Sequence, residues 1–342
     1  MSAGTAAAGD RQALDRWWRT FVRTGRLPAE LDLVQGRLVR AVLRGSLPSG
    51  DVFVKVMTFP RAKDRLRYAV RALPAAHEAR MLRAAAAEHI RCPEVLDVRT
   101  KRRAGMPARS FLVLRALPTQ TAVEVDSNAR LRDEATMALR LLAIGIEHRD
   151  LHSGNFVRLG DGELAVLDLQ SASLHGRPCL AAAQRIAAAA RLLRERDVEA
   201  GHRHTLRDLG LLQNEAEWRR VLAMVERDRM RFHRGRIRRC LLETTEFTRS
   251  RSLFGCEHRT RGELPPGRWC YGGRQLRRAW LGQRALHLLA GRPPLFPAFF
   301  QKSWWLGGGA ALYVPLACSE DRIEAEIEAA AVGLDRHALG KG

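Results

Sequence analysis

The spacing of hydrophobic positions changes along the chain, and the changes mark out its elements. Over residues 11–26, Leu14, Trp17, Trp18, Phe21 and Val22 recur at helical spacing, with arginines on the other faces; this predicts one amphipathic helix. Residues 1–9 are small and polar and are expected to be disordered. Residues 31–57 alternate roughly between apolar and polar, broken by the turn SLPSGD and closing in VFVKVM, which predicts strands. Residues 75–90 are rich in strong helix formers. FLVLRAL at 111–117 predicts a further strand, and a helical pattern over 128–145 stops at Gly145, a residue suited to a helix C-terminus. The polar loop EHRDLHSGNFVRLGDG follows, then a strand around 163–169, then a mostly helical stretch over 178–230.

A β-rich part followed by a helix-rich part, with a polar loop at the junction, predicts an α+β fold of two unlike lobes with a site between them. The expected divisions are a tail and basic helix (1–27), a β-rich lobe (28–118), a helical lobe (119–230) and a C-terminal extension (231–342).

Composition narrows the class. Of 342 residues, 46% are hydrophobic and 28% charged, which excludes a disordered chain. No apolar run of about 18 residues predicts a transmembrane helix, and the first residues lack the pattern of a signal peptide. Six scattered cysteines without a C-x-x-C pair fit thiols in a reducing cytosol better than a disulfide framework or a zinc site. The charge is unusual. There are 58 basic and 37 acidic residues, a net +21, and only five of the basic ones are Lys. Such a field favours anionic partners, although a GC-rich coding sequence also produces Arg in place of Lys. Two segments concentrate it. The Trp-bearing helix at 11–26 either lies in a membrane interface or packs its stripe on the following lobe. The run 227–239, with seven Arg and one Asp, is either a platform for phosphates and anionic lipid or a solvated helix. No helix-turn-helix, zinc finger or aromatic-basic motif points to nucleic acid.

The polar loop carries the chemistry. It reads His148-Arg149-Asp150-Leu151-His152-Ser153-Gly154-Asn155, and Asp168 ends the apolar run LAVLD beyond it. Phosphoryl transfer needs a carboxylate to orient the attacking hydroxyl, a role that suits Asp150. It also needs oxygen ligands for Mg2+, and Asn155 and Asp168 are hard oxygen donors. H-R-D-x-x-x-x-N followed by a strand and Asp is the spacing of kinase catalytic loops. His148 would brace the loop, and His152 would touch either phosphate or the loop. Upstream, Lys55 stands amid apolar strand residues, where an ammonium needs an anionic partner. Glu78 on the next helix is the first candidate for that partner and Glu88 the second. Only Gly36 stands where a glycine-rich phosphate loop would be sought. The base of ATP is expected against Val113–Leu117, with Leu114 and Leu117 as contacts.

With FVKV, HEARML, GIEHRDLHSGNFV and LAVLDLQSA in view, the chain resembles the protein-kinase-like superfamily. Within it, residues 30–230 look most like the bacterial lipopolysaccharide kinases of core heptose and Kdo. The resemblance implies a bilobal kinase-like fold that uses ATP and Mg2+. It implies transfer to a sugar hydroxyl of lipopolysaccharide core or another lipid-linked glycan, at the cytoplasmic membrane face. A protein Ser/Thr kinase, a kinase of small amino-alcohols or aminoglycosides, and a pseudokinase-like binding module are the alternatives. The extension repeats a strand, helix, strand order. It reads either as a degenerate second β-rich lobe or as an unrelated addition, and it has no second H-R-D loop.

Overall fold

Alternation of side chains builds the first sheet of the computed structural model, which describes residues 3–26, 28–36, 39–60, 62–119, 126–244, 246–303 and 309–336. Strands β1 (Asp32–Gly36), β2 (Arg40–Leu47), β3 (Gly50–Thr58), β4 (Val95–Arg103) and β5 (Met106–Arg115) form an antiparallel sheet in the order β1-β2-β3-β5-β4. Register sets Leu43 opposite Val54, and Val54 opposite Val113. That face is buried under α1 (Ala3–Thr24), whose Leu14, Trp17 and Phe21 belong to the same core. The other face carries Val42 opposite Lys55, and Phe53 opposite Leu114.

One pair of alternatives is decided here and one expectation changes. The Trp stripe packs on the lobe that follows it: Trp17 and Phe21 are at most 2% exposed, and Trp18 and Val22 are half-buried. At roughly 25 cal/mol per Å2, over the ~150–250 Å2 an aromatic side chain buries, exposing Trp17 and Phe21 would give up several kcal/mol. Helix α1 also begins at Ala3, inside the stretch expected to be disordered, because its alanines are the strongest helix formers.

Helix α2 (Ala62–Ala69), which the pattern did not mark, leads into α3 (Pro74–Ala87). Pro74 opens α3 at the position where the missing N–H costs nothing. Helix α4 (Ser127–Ala143) is capped by Asp126, which accepts from the N–H groups of Asn128 and Ala129. Past its end, Gly145 takes φ +80. Two short antiparallel strand pairs follow, β6 (Ile146–His148) with β9 (Ala172–Leu174) and, between them in the chain, β7 (Phe156–Arg158) with β8 (Leu164–Val166). Helices α5 (Ala182–Leu193), α6 (Ala200–Asp208) and the first half of α7 (Glu215–Arg238) complete this part. Its core joins Met81 and Leu82 of α3 to Leu131, Leu141, Leu193 and Val221. The strand expected over 163–169 ends at Val166, and Asp168 adopts left-handed φ 51, which no strand can continue.

The chain divides into two compact units, Met1–Glu226 and Arg227–Gly342. The second holds β10 (Phe247–Arg251), β11 (Gly255–Thr260), β12 (Gly267–Gly272), α8 (Arg274–Ala290), β13 (Ala298–Lys302), β14 (Ala310–Pro315) and α9 (Glu320–Arg336). Its antiparallel sheet runs β10-β11-β13-β14-β12. Trp280 of α8 stacks on Phe299 and meets Phe247 edge-on at the centre of the core. Gly282 lets α8 approach α9, since a Cβ there would collide with the Ala330 carbonyl. Among the described residues, no helix is long and apolar enough to cross a membrane. Burial pushes the Cys240 thiol up to about 12 and that of Cys92 up to about 11.

Candidate active site

Strand β3 presents Lys55 to the face of the sheet that α1 does not cover. Its Nζ lies 2.5 Å from Glu78 Oε1 and 3.6 Å from Asp168 Oδ1. The Lys55 side chain is 16% exposed and that of Glu78 2%. Burial pushes the Glu78 carboxyl above its ordinary range, against the opposing pull of Lys55. Glu88 sits at the C-terminal cap of α3 and is exposed. Helix α3 is held to β9 by His77, whose Nε2 lies 2.7 Å from the Ala172 carbonyl oxygen.

The H-R-D segment leaves β6 and turns sharply. The Asp150 N–H donates to Nδ1 of buried His148 at 3.2 Å. Burial holds the His148 pKa below the usual imidazole value, so the ring stays neutral and able to accept. The His148 carbonyl in turn accepts from Arg191. Asn155 ends a single 3-10 turn, Ser153–Asn155, and its Nδ2 donates to the Asp150 carbonyl at 2.6 Å. His152 caps that turn, accepting from the Gly154 N–H, and its Nδ1 also lies 3.7 Å from Glu195 Oε2. Both terminal nitrogens of Arg194 reach Asp150 Oδ1 at 3.2 Å.

Three contributors escaped the sequence reading: Arg194, Arg40 and Glu134. Glu134 of α4 is fully buried, and its carboxylate accepts from Arg130, Arg196 and the Ser153 hydroxyl. A buried charge is tolerated only with such partners, and this one braces the loop at Ser153. The signal was an acid beside Leu131, Ala135 and Ala138 on the apolar stripe of a helix.

These elements enclose a cavity of about 700 Å3. Val42, Phe53, Leu114, Leu117, Val157 and Leu167 supply apolar wall, and Arg40, Lys55, Asn155 and Asp168 supply polar wall. Glu78 lines a small adjoining cavity together with Lys55 and Arg40. Asp150 is exposed and outside the lining of the large cavity. Gly36 is exposed at the end of β1 and also outside it; a Cβ there would touch only the Leu33 side chain, at 3.4 Å. Nothing in these contacts therefore requires glycine at position 36.

Asp168 has the features of a residue kept for a ligand. Left-handed φ is costly for a non-glycine residue. Its Oδ1 is buried without a hydrogen-bond partner, although 42% of the side chain is exposed. Asn155 and Asp168 offer hard oxygen donors in one cavity, which fits Mg2+, an ion that takes one or two protein oxygens and shares the rest with phosphates and water.

No family model and no curated protein matches this chain. Among solved structures it is similar to "WaaP in complex with acyl carrier protein", at 20% identity and a TM-score of 0.40, over 62% of this chain and 95% of that one. The likeness is slight, and what the chain does is read from its own residues.

Proposed function

We propose that the chain is an ATP- and Mg2+-dependent phosphotransferase that acts on a hydroxyl group. The observation that carries this reading is the meeting of Lys55, Glu78 and Asp168, drawn from three separate segments, beside the H-R-D loop. The base of ATP lies among Val42, Phe53, Leu114 and Leu117, which line the cavity. Lys55, positioned by Glu78, pairs with the phosphates. Bound Mg2+, held by Asn155 and Asp168, would screen the charge on the phosphate oxygens.

In the transfer step, the acceptor oxygen bonds to the γ-phosphorus as the bond from phosphorus to the ADP oxygen breaks. The acceptor proton passes to the Asp150 carboxylate. Arg194 occupies Oδ1, so Oδ2 is the oxygen left to receive it. His148, Asn155 and Glu134 hold this loop so that the carboxylate need not reorganise during the step.

The acceptor most in keeping with the loop's resemblance is a sugar hydroxyl of lipopolysaccharide core or another lipid-linked glycan, met at the cytoplasmic membrane face. The net charge of +21 favours an anionic acceptor and disfavours cationic aminoglycosides. With the Trp stripe buried, the arginines of α7 are the remaining candidate contact with anionic lipid.

Mass spectrometry of membrane glycolipids and total metabolites, compared between cells carrying the unaltered chain and the Asp150→Ala variant, tests the reading. One glycolipid species gaining a phosphate only with the unaltered chain is expected. A phosphorylated protein or small metabolite in its place would reassign the acceptor. No Mg2+-dependent ATP turnover under any condition would leave a binding module.

A further inference from the structure

A kinase site ordinarily cradles phosphates in the backbone amides of a glycine-rich loop, and this chain has only Gly36 there, outside the cavity. Arg40 opens β2, opposite Met57 and two positions before Val42, on the sheet face that carries Lys55. Its guanidinium lies 3.8 Å from Asp168 Oδ1, the oxygen that Lys55 approaches at 3.6 Å. The Arg40 side chain is 26% exposed.

The pairing of the cations around the cavity separates Arg40 from the rest. Arg44 is bonded to Asp51, and Arg115 to Glu94. Lys55 has Glu78 as its own counter-ion and shares Asp168. Arg40 has an ion pair to Asp168 alone among the described residues, at a length beyond a hydrogen bond. Two cations thus converge on one carboxylate oxygen that neither fully engages, an arrangement poised to pass both to a ligand carrying more negative charge.

We propose that Arg40 is a second phosphate-binding cation, gripping the triphosphate together with Lys55 where glycine-loop amides would otherwise do so. This rests on the ATP reading above. A planar guanidinium can offer two parallel N–H donors to one phosphate, which an ammonium cannot. Asp168 balances both cations here; when nucleotide binds, they turn to its phosphates.

Titration calorimetry on the full chain, with Mg2+–ATP and separately with adenosine, tests this. Arg40→Gln is expected to weaken Mg2+–ATP by about tenfold or more, the scale of a lost charge-assisted hydrogen bond, and to leave adenosine within about twofold. Arg40→Lys should recover part of the loss, and it keeps the test decisive if the Gln variant folds poorly. Arg203→Gln on α6 removes the same charge elsewhere and should change neither ligand. Unchanged Mg2+–ATP affinity in Arg40→Gln, or equal weakening of both ligands, overturns the proposal. An unaltered chain that binds neither ligand overturns the ATP reading itself, and the proposal with it.

Discussion

The two sheets share a broad order, three strands, a helical connection (α2 and α3 in the first unit, α8 alone in the second) and two strands, and differ in how the strands are arranged. In the first unit the third strand, β3, lies at the centre, between β2 and β5. In the second unit the third strand, β12, lies at the edge, and β13 takes the centre. A central strand has neighbours on both sides and a helix within reach of its middle, so a lysine on β3 can be desolvated and paired. The helix that follows then decides what is paired. Helix α3 brings the buried carboxylate of Glu78, whereas α8 contains no acidic residue and brings Trp280. One sheet therefore holds a charge pair beside a cavity, and the other closes over an aromatic core. A shared order of elements does not make the second unit a copy of the first.

Substitutions can break or sharpen that contrast. The largest effect is expected from Asp150→Ala, which should lower turnover by roughly 10²–10⁴-fold while ATP binding persists; equal turnover would sever the chemistry from the first unit. Next, Lys55→Met leaves Glu78 buried and unpaired. Removing one partner of such a pair costs about 3–5 kcal/mol, measurable by denaturant unfolding at pH 7. In the second unit, Trp280→Ala should cost about 3–5 kcal/mol through the cavity it leaves. Amide exchange should then quicken in β13 and β14 and hold steady in β3 and β5. Smaller in scale, Gly145→Ala forces a side chain onto φ +80 with its Cβ 2.5 Å from the Arg177 carbonyl oxygen, and should lower Tm by more than about 1 kcal/mol of stability implies.

The most graded effect is on pH. Burial raises the Glu78 carboxyl in the folded chain, so the folded state holds that proton to higher pH than the unfolded chain does. Its contribution to stability is therefore full below the unfolded value and lost as pH rises through the folded one. For ATP binding the sense is opposite, because protonation removes the charge that positions Lys55. The acid limb of binding should lie above the ordinary glutamate range and vanish in Glu78→Gln. A limb at the ordinary value would mean that the pair is more open to water than its exposure indicates.

Much of the candidate site was legible because its groups are spelled out in one short run. The spacing from Asp150 to Asn155, the apolar run before Asp168 and the isolated Lys55 are local patterns. Arg40 was not legible among 53 arginines, since its meaning lies in which carboxylate it reaches. Glu134 was hidden for a related reason: an acid on a helix stripe reads as a surface residue until Arg130, Arg196 and Ser153 are seen to surround it.

By itself the sequence determined most of the strands and helices of the first unit, though not α2 or the start of α1, that Gly145 ends a helix, and which residue types stand in the loop. These follow from side-chain periodicity and backbone preference, which act over a few residues. Tertiary structure alone decided that the Trp stripe of α1 is core, that Glu78 rather than Glu88 meets Lys55, and that β12 is an edge strand. Each depends on contacts between segments distant in the chain, where burial and charge pairing choose among partners that local pattern leaves equivalent.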